Sequence, residues 1–222
     1  MLQQRHSILK TKRMTLQERI LETALRLFRT YGIKSVTMFD IAKECGVSKK
    51  TVYEHFADKE ALIKSGVQTV LDGLQQQLDQ GRRQAENAIM EQLQTAHILE
   101  VLARTMNPVM MHEVRKYHPE VGQAVEDFRR DNVLQGIREN LERGVEEGLY
   151  HPYLKMDIMA RMRQLQLDAA FDQAQYPPEQ FDMHQVMQEI TFNYIMGIAT
   201  PEGRKLAGRY LVTASAPSFS LE

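Results

Sequence analysis

Between Thr15 and Leu62 the chain is so densely punctuated by helix-start and helix-stop residues that only a package of short helices can be built there. Thr15, Thr37, Ser48 and Asp58 are residue types whose side chains accept the orphan N–H groups of a helix N-terminus. Glu18 and Asp40 stand three residues after the first two, the spacing of a capping box. Gly32 and Gly46 supply stops, because glycine takes the positive φ that ends a helix without steric cost. From Thr15, apolar residues fall at Ile20, Leu21, Ala24, Leu25, Leu27 and Phe28, the three-and-four spacing of a helix with one buried face. A first helix is therefore expected from Thr15 to Gly32 and a second from Thr37 to Gly46. A third opens at Ser48, and a fourth starts at Lys59 and continues to about Gly81.

The same periodicity continues beyond. Helices are expected over 91–105, 108–117, 120–147, 157–173, 183–200 and about 202–210, with 213–222 a polar tail. The breaks at Asn107-Pro108, His118-Pro119, 148–152, Tyr176-Pro177-Pro178 and Thr200-Pro201 each hold a proline that cannot continue the preceding helix. Few β-branched runs alternate with period two, so no strand is expected. The fold class is all-α, with about nine or ten helices.

Composition sets limits on function. The 222 residues are 43% hydrophobic and 26% charged, enough to bury a core. Cys45 is the single cysteine, which excludes an intrachain disulfide and a cysteine-rich zinc site; a reducing, cytoplasmic setting is expected. The basic N-terminus is not followed by the apolar run of a signal peptide, and no stretch approaches the length of a membrane span. Net charge is only −1, which on its face argues against a nucleic-acid partner. That balance is an average. Residues 1–64 hold 13 basic and 7 acidic residues, a net of +6; the remainder holds 15 basic and 22 acidic, a net of −7. A basic end on an acidic body points toward nucleic acid.

Residues 37–62, TMFDIAKECGVSKKTVYEHFADKEAL, carry the most chemistry. Ala42 is small where two helices must cross closely, Gly46 allows the tight turn, and Val52 fills the wedge beside Ile41 and Val47. This is the construction of a DNA-reading helix-turn-helix, whose second helix enters the major groove. The exposed face of that helix carries Ser48, Lys49, Lys50, Thr51, Tyr53 and His55. Lysines bind phosphates or guanine edges, and hydroxyls suit phosphate oxygens. A helical hairpin with a merely solvated polar face is the competing reading; the caps, the basic face and the charge of the segment favour DNA.

The stretch ILETALRLFRTYGIKSVTMFDIAKECGVSKKTVYEHFADKEALI resembles the DNA-binding domain of the TetR family of bacterial transcriptional regulators. Gly46-Val47-Ser48, Thr51-Val52-Tyr53, Phe56 and Asp58-Lys59-Glu60 carry the resemblance over about a fifth of the chain. YHPEVGQAVEDFRRDN and LERGVEEGLYHP look like the family's C-terminal region. The resemblance implies an N-terminal three-helix helix-turn-helix DNA-binding domain (1–60, with the fourth helix connecting) and a C-terminal helical domain for ligand binding and dimerisation (61–213). It implies that Thr37, Lys49, Lys50, Thr51, Tyr53, His55 and Lys59 contact the operator, with Tyr53, His55 and Lys59 gripping phosphates. Lys50 stands where the family more often has a small residue, and Glu54 places an acid in the basic face.

Nine of the thirteen methionines lie from Met106 to Met196. Unbranched methionine adapts to irregular apolar shapes. An effector pocket lined by Met106, Met110, Tyr117, Phe128, Met162 and Phe171 is therefore expected, with core packing the alternative for each. The dimer interface is expected on the last two long helices, through Ile158, Met162, Leu165 and Ala169 on one and Met183, Met187, Ile190, Tyr194 and Ile198 on the other. These would form a four-helix bundle across a twofold axis. The reading adopted is a homodimeric repressor on a palindromic operator, released by a small apolar or amphipathic effector. The alternative is a DNA-binding regulator or architectural protein with no effector.

Other classes have less support. The chain has no G-x-S-x-G or phosphate-loop motif, and Met111-His112-Glu113 starts a zinc-protease motif that fails at Lys116. Neither catalytic residues, a cofactor nor a metal is expected. Redox sensing through Cys45 rests on nothing but its nearness to Lys43.

Overall fold

The computed structural model describes residues 14–105, 107–172 and 174–214. They divide between Gly66 and Val67 into two compact units.

The first unit is built by its caps. Helix α1 (Leu16–Tyr31) opens on Thr15, whose hydroxyl accepts from the Glu18 amide while Glu18 accepts from the Thr15 amide. Helix α2 (Met38–Cys45) repeats the device with Thr37 and Asp40. Gly46 ends it in the left-handed conformation, φ 66°, which an L side chain rarely adopts. Helix α3 (Lys49–His55) is capped by Ser48, which accepts from the Thr51 amide at 3.0 Å. Helix α4 (Lys59–Gln84) begins with Asp58 accepting from the Ala61 amide at 2.7 Å. Ile20, Ala24, Phe28, Ile41, Ala42, Val52 and Leu62 are all buried. Each large member contributes about 1.5–3 kcal/mol, offset by the cost of ordering the chain.

The second unit contains α5 (Ala88–Thr105), α6 (Pro108–Tyr117), α7 (Pro119–Phe128), a π-helical turn (Arg129–Val133), α8 (Leu134–Glu146), α9 (Met156–Ala170), α10 (Met183–Ile198) and α11 (Pro201–Ala214). Helix α5 packs against α8, α10 and α11, and α8 against α9. The core centres on Ile89, Leu141, Ala160, Ala170, Met187, Ile195 and Ile198. It contains a polar joint. Asn140 accepts from Gln92 Nε2 at 2.8 Å and donates to the Ala88 carbonyl at 2.9 Å, which also accepts from the Tyr150 hydroxyl at 3.1 Å. Gly144 is required beside it, because a Cβ there would overlap the Tyr150 ring.

Among the described residues the only extended pairing is an isolated bridge between Tyr150 and Ala199. The helix positions correct the sequence reading in four places. The expected helix over 120–147 is two helices joined by the π turn. Helix α5 opens a turn earlier than 91, because Asn87 Oδ1 accepts from the Met90 amide at 3.0 Å. The eleven α-helices of the described residues exceed the nine or ten expected. The boundary lies at 66/67, inside α4, rather than at 60/61. Leu62 and Ile63 are buried, and Gly66 lies against Leu25 of α1, so the first two turns of α4 belong to the first unit. Helix α11 runs to Ala214, and 215–222 lie outside the described residues.

Candidate nucleic-acid interface

Six of the eight expected DNA contacts lie on α3 or at its cap. Lys49, Lys50, Tyr53 and His55 are exposed on it, Thr51 is half-buried, and Ser48 is its exposed cap. The Lys49 ammonium lies 5.7 Å from the centre of the Tyr53 ring, one turn along. This attraction orders both side chains on the outer face. Val52 points inward with no exposed surface. The helix is therefore anchored by its apolar side and presents cations and hydroxyls on the other.

Thr37 sits at the α2 N-terminus. Its hydroxyl donates to Asp40 Oδ2 at 2.6 Å and accepts from the Asp40 amide at 3.2 Å. These bonds to Thr37 hold the Asp40 carboxyl below the usual carboxylate range. Lys59 is placed differently from the rest. It is half-buried, and its ammonium donates to the Ile33 carbonyl at 2.6 Å, closing the α1–α2 connection onto the start of α4. Arg26 of α1 pairs with Glu44 of α2 at 2.5 Å, an exposed bridge. Two exposed aromatics of this unit, Tyr31 and Phe39, escaped the sequence reading. Phe39 was legible as an apolar residue off the Met38–Ile41–Ala42 face.

Among the described residues, none of the expected effector residues lines either of the two cavities described below. Met110 is half-buried on α6, and Tyr117 is 50% exposed at the end of that helix. Phe128 and Phe171 are half-buried at the ends of α7 and α9, packed on the core. Met162 is exposed on α9, and Met106 lies outside the described residues. The room in the second unit lies elsewhere. A groove of about 500 Å³ runs between α4, α5 and α11, lined by glutamine amides of Gln77, Gln80, Gln84 and Gln94 around Met90 and Ile98. A cavity of about 40 Å³ lies against the π turn, bordered by Gln92, Asn140 and Leu167.

The two expected interface stripes separate. On α9, Ile158 (58%) and Leu165 (66%) are exposed beside Met162, with Ala169 half-buried at the end of the row. On α10, Met187, Tyr194 and Ile198 are buried in the subunit's own core, and Met183 and Ile190 are half-buried against it. That stripe is a core face. Periodicity marks a buried side, and here the subunit itself covers it. The outer face of α10 instead presents Phe192.

Among the described residues no group of three His, Cys, Asp or Glu could hold a metal ion, and no helix is long and apolar enough to cross a membrane.

The first unit is a helix-turn-helix of the kind found in bacterial transcriptional regulators. Residues 20–65 match the family described as bacterial regulatory proteins, tetR family. The HTH-type transcriptional regulator YerO of Bacillus subtilis is 29% identical over 173 residues, which cover 69% of this chain and 59% of that protein. A transcriptional regulator from Cytophaga hutchinsonii superposes with a TM-score of 0.69 at 18% identity, covering 82% of this chain and 97% of the other. The structure of a SmeT–triclosan complex superposes with a TM-score of 0.66 at 17% identity, covering 84% and 92%. The family match thus lies in the first unit and its helix-turn-helix, and the likeness of the second unit to these structures is one of fold.

Proposed function

We propose that the protein is a DNA-binding transcriptional repressor that acts as a homodimer and is released by a small apolar or amphipathic effector. The observation that carries DNA binding is the face of α3, where Lys49, Lys50, Tyr53 and His55 are exposed on a helix anchored by buried Val52. Two copies reading adjacent half-sites would gain the contact area that a single short helix lacks. Pairing through α9 is supported by the exposed Ile158–Met162–Leu165 row, an apolar stripe that a soluble surface seldom leaves uncovered.

The effector reading rests on room and adaptability in the second unit. The groove is within the usual size of small-molecule sites. Met156, Met159, Met183, Met187 and Met196 pack in or against the core of α9 and α10, where they can rearrange around a guest. The superposable SmeT fold is known with triclosan bound, which fits such a role. Release would follow if the effector favoured an arrangement of the two DNA-binding units that misfits the operator, with α4, shared by both units, as the connection.

Fluorescence anisotropy of a labelled duplex across a salt series tests DNA binding. The expected result is a steep fall of affinity with salt and a further loss in Lys49→Ala and Lys50→Ala. Salt-independent binding, or binding unchanged in both variants, would remove the α3 face from the account.

A further inference from the structure

Helix α9 turns Ala160, Arg163, Leu167 and Ala170 toward the core, and the second of these is an arginine. Arg163 is 1% exposed and among the largest fully buried side chains of the molecule. Its Nη2 donates to Thr191 Oγ1 at 2.9 Å, and its guanidinium lies 4.9 Å from the centre of the Tyr194 ring. Nε and Nη1 have no hydrogen-bond partner among the described residues, and neither has the hydroxyl of Tyr194. No described carboxylate pairs with the charge. An enclosed cation without an anion is costly, and buried charges are as a rule paired. Burial accordingly pushes the Arg163 guanidinium down to about 10 and the Tyr194 hydroxyl well up.

We infer that Arg163, Thr191 and Tyr194 form a recognition point for the carboxylate of an amphipathic effector, received between α9 and α10. The inference rests on the effector reading above and gives that effector a negative head. Arginine's planar fork matches a carboxylate with two parallel bonds along its Nη1–Nη2 or its Nε–Nη2 edge, and Nε, Nη1 and the second Nη2 hydrogen are left for it. The Tyr194 hydroxyl supplies a third donor. A second subunit cannot supply the anion, since Arg163 lies inside its own subunit while the α9 residues offered outward are Ile158, Met162 and Leu165. Met159, Met187 and Met196 belong to or pack on the same core and can adapt to an apolar tail. The cavity of about 40 Å³ at Leu167 has none of Arg163, Thr191 and Tyr194 in its lining, so the seat opens only as α9 and α10 repack around the guest. The groove between α4, α5 and α11 is a different kind of site, with glutamine amides and His97 set among Met90, Leu93, Ile98 and Tyr210 and no arginine or lysine among the described residues of its lining.

The test compares decanoate with decanol, equal chains with charged and neutral heads, by thermal shift on the full-length protein and on Arg163→Met and Arg163→Lys. Decanoate is expected to raise the wild-type Tm by about 2–4 °C. Its binding should weaken at least about tenfold in Arg163→Met and less in Arg163→Lys. Without ligand, Arg163→Met should melt no lower than wild type, because methionine fills similar volume with no charge to compensate. If decanol and decanoate stabilise wild type and Arg163→Met alike, the effector reading stands and the role of Arg163 falls. If neither chain stabilises any of the three proteins, the carboxylate proposal falls with the apolar effector. An Arg163→Met protein that melts well below wild type without ligand marks the arginine as structural and overturns the inference.

Discussion

At the scale of single residues the account separates side chains that meet DNA from side chains that hold the helix presenting them. Tyr53 is exposed on α3 and steadied by Lys49. Tyr53→Ala should weaken binding to every duplex alike and leave the salt slope nearly unchanged, the signature of a lost neutral phosphate contact. Lys59 differs, because its ammonium is committed to the Ile33 carbonyl. Lys59→Ala should therefore lower the urea midpoint of unfolding as well as DNA affinity. Asp40 provides a pH test. Its folded carboxyl lies below the ordinary value of 3.8, so its stabilising contribution is present above 3.8 and is lost as pH falls through the lower folded value. The stability gap between wild type and Asp40→Asn should be open at pH 6 and should close in acid; a gap that widens in acid would contradict the Thr37–Asp40 cap. In the second unit, Gly144→Ala must displace the Tyr150 ring and with it the joint at Asn140 and Ala88. A loss of about 2–3 kcal/mol in denaturant titration is expected.

At the scale of elements, α9 carries the association claim. Leu165→Glu places a charge in the middle of the exposed row and should convert the dimer to monomer in sedimentation velocity without lowering the Tm of the subunit. An unchanged dimer would move the interface off α9. The elements also explain what the sequence could convey. The first unit was legible almost residue by residue, because capping boxes, a left-handed glycine and a small crossing residue are local signals with local consequences. The second unit was legible as helices and less so as faces. The period that runs through Met187, Tyr194 and Ile198 says that one side of α10 is buried and is silent on whether its own chain or another buries it. The π turn at Arg129–Val133 adds a residue to a continuous helix and leaves no side-chain signature. Arg163 was readable as a charge in register with Ala160, Leu167 and Ala170, but its lack of a carboxylate partner among the described residues depends on which helices pack across it. The groove residues of α4, α5 and α11 come from distant parts of the chain, so no spacing could have joined them.

At the scale of the whole molecule, the near-zero net charge resolves into a basic unit suited to DNA and an acidic body with other work. Linkage between the two is a thermodynamic claim. An effector that weakens operator binding by some factor must itself be bound more weakly, by the same factor, in the presence of operator. Isothermal titration with and without operator checks this, and equal affinities would refute the release mechanism. All of this depends on two copies reading DNA together. Selection of bound duplexes from a random pool by the full-length protein tests that most directly. The account predicts enrichment of an inverted repeat whose half-sites are separated by about one helical turn or a multiple of it. Recovery of sequences with no twofold symmetry, or no enrichment over the starting pool, would contradict it.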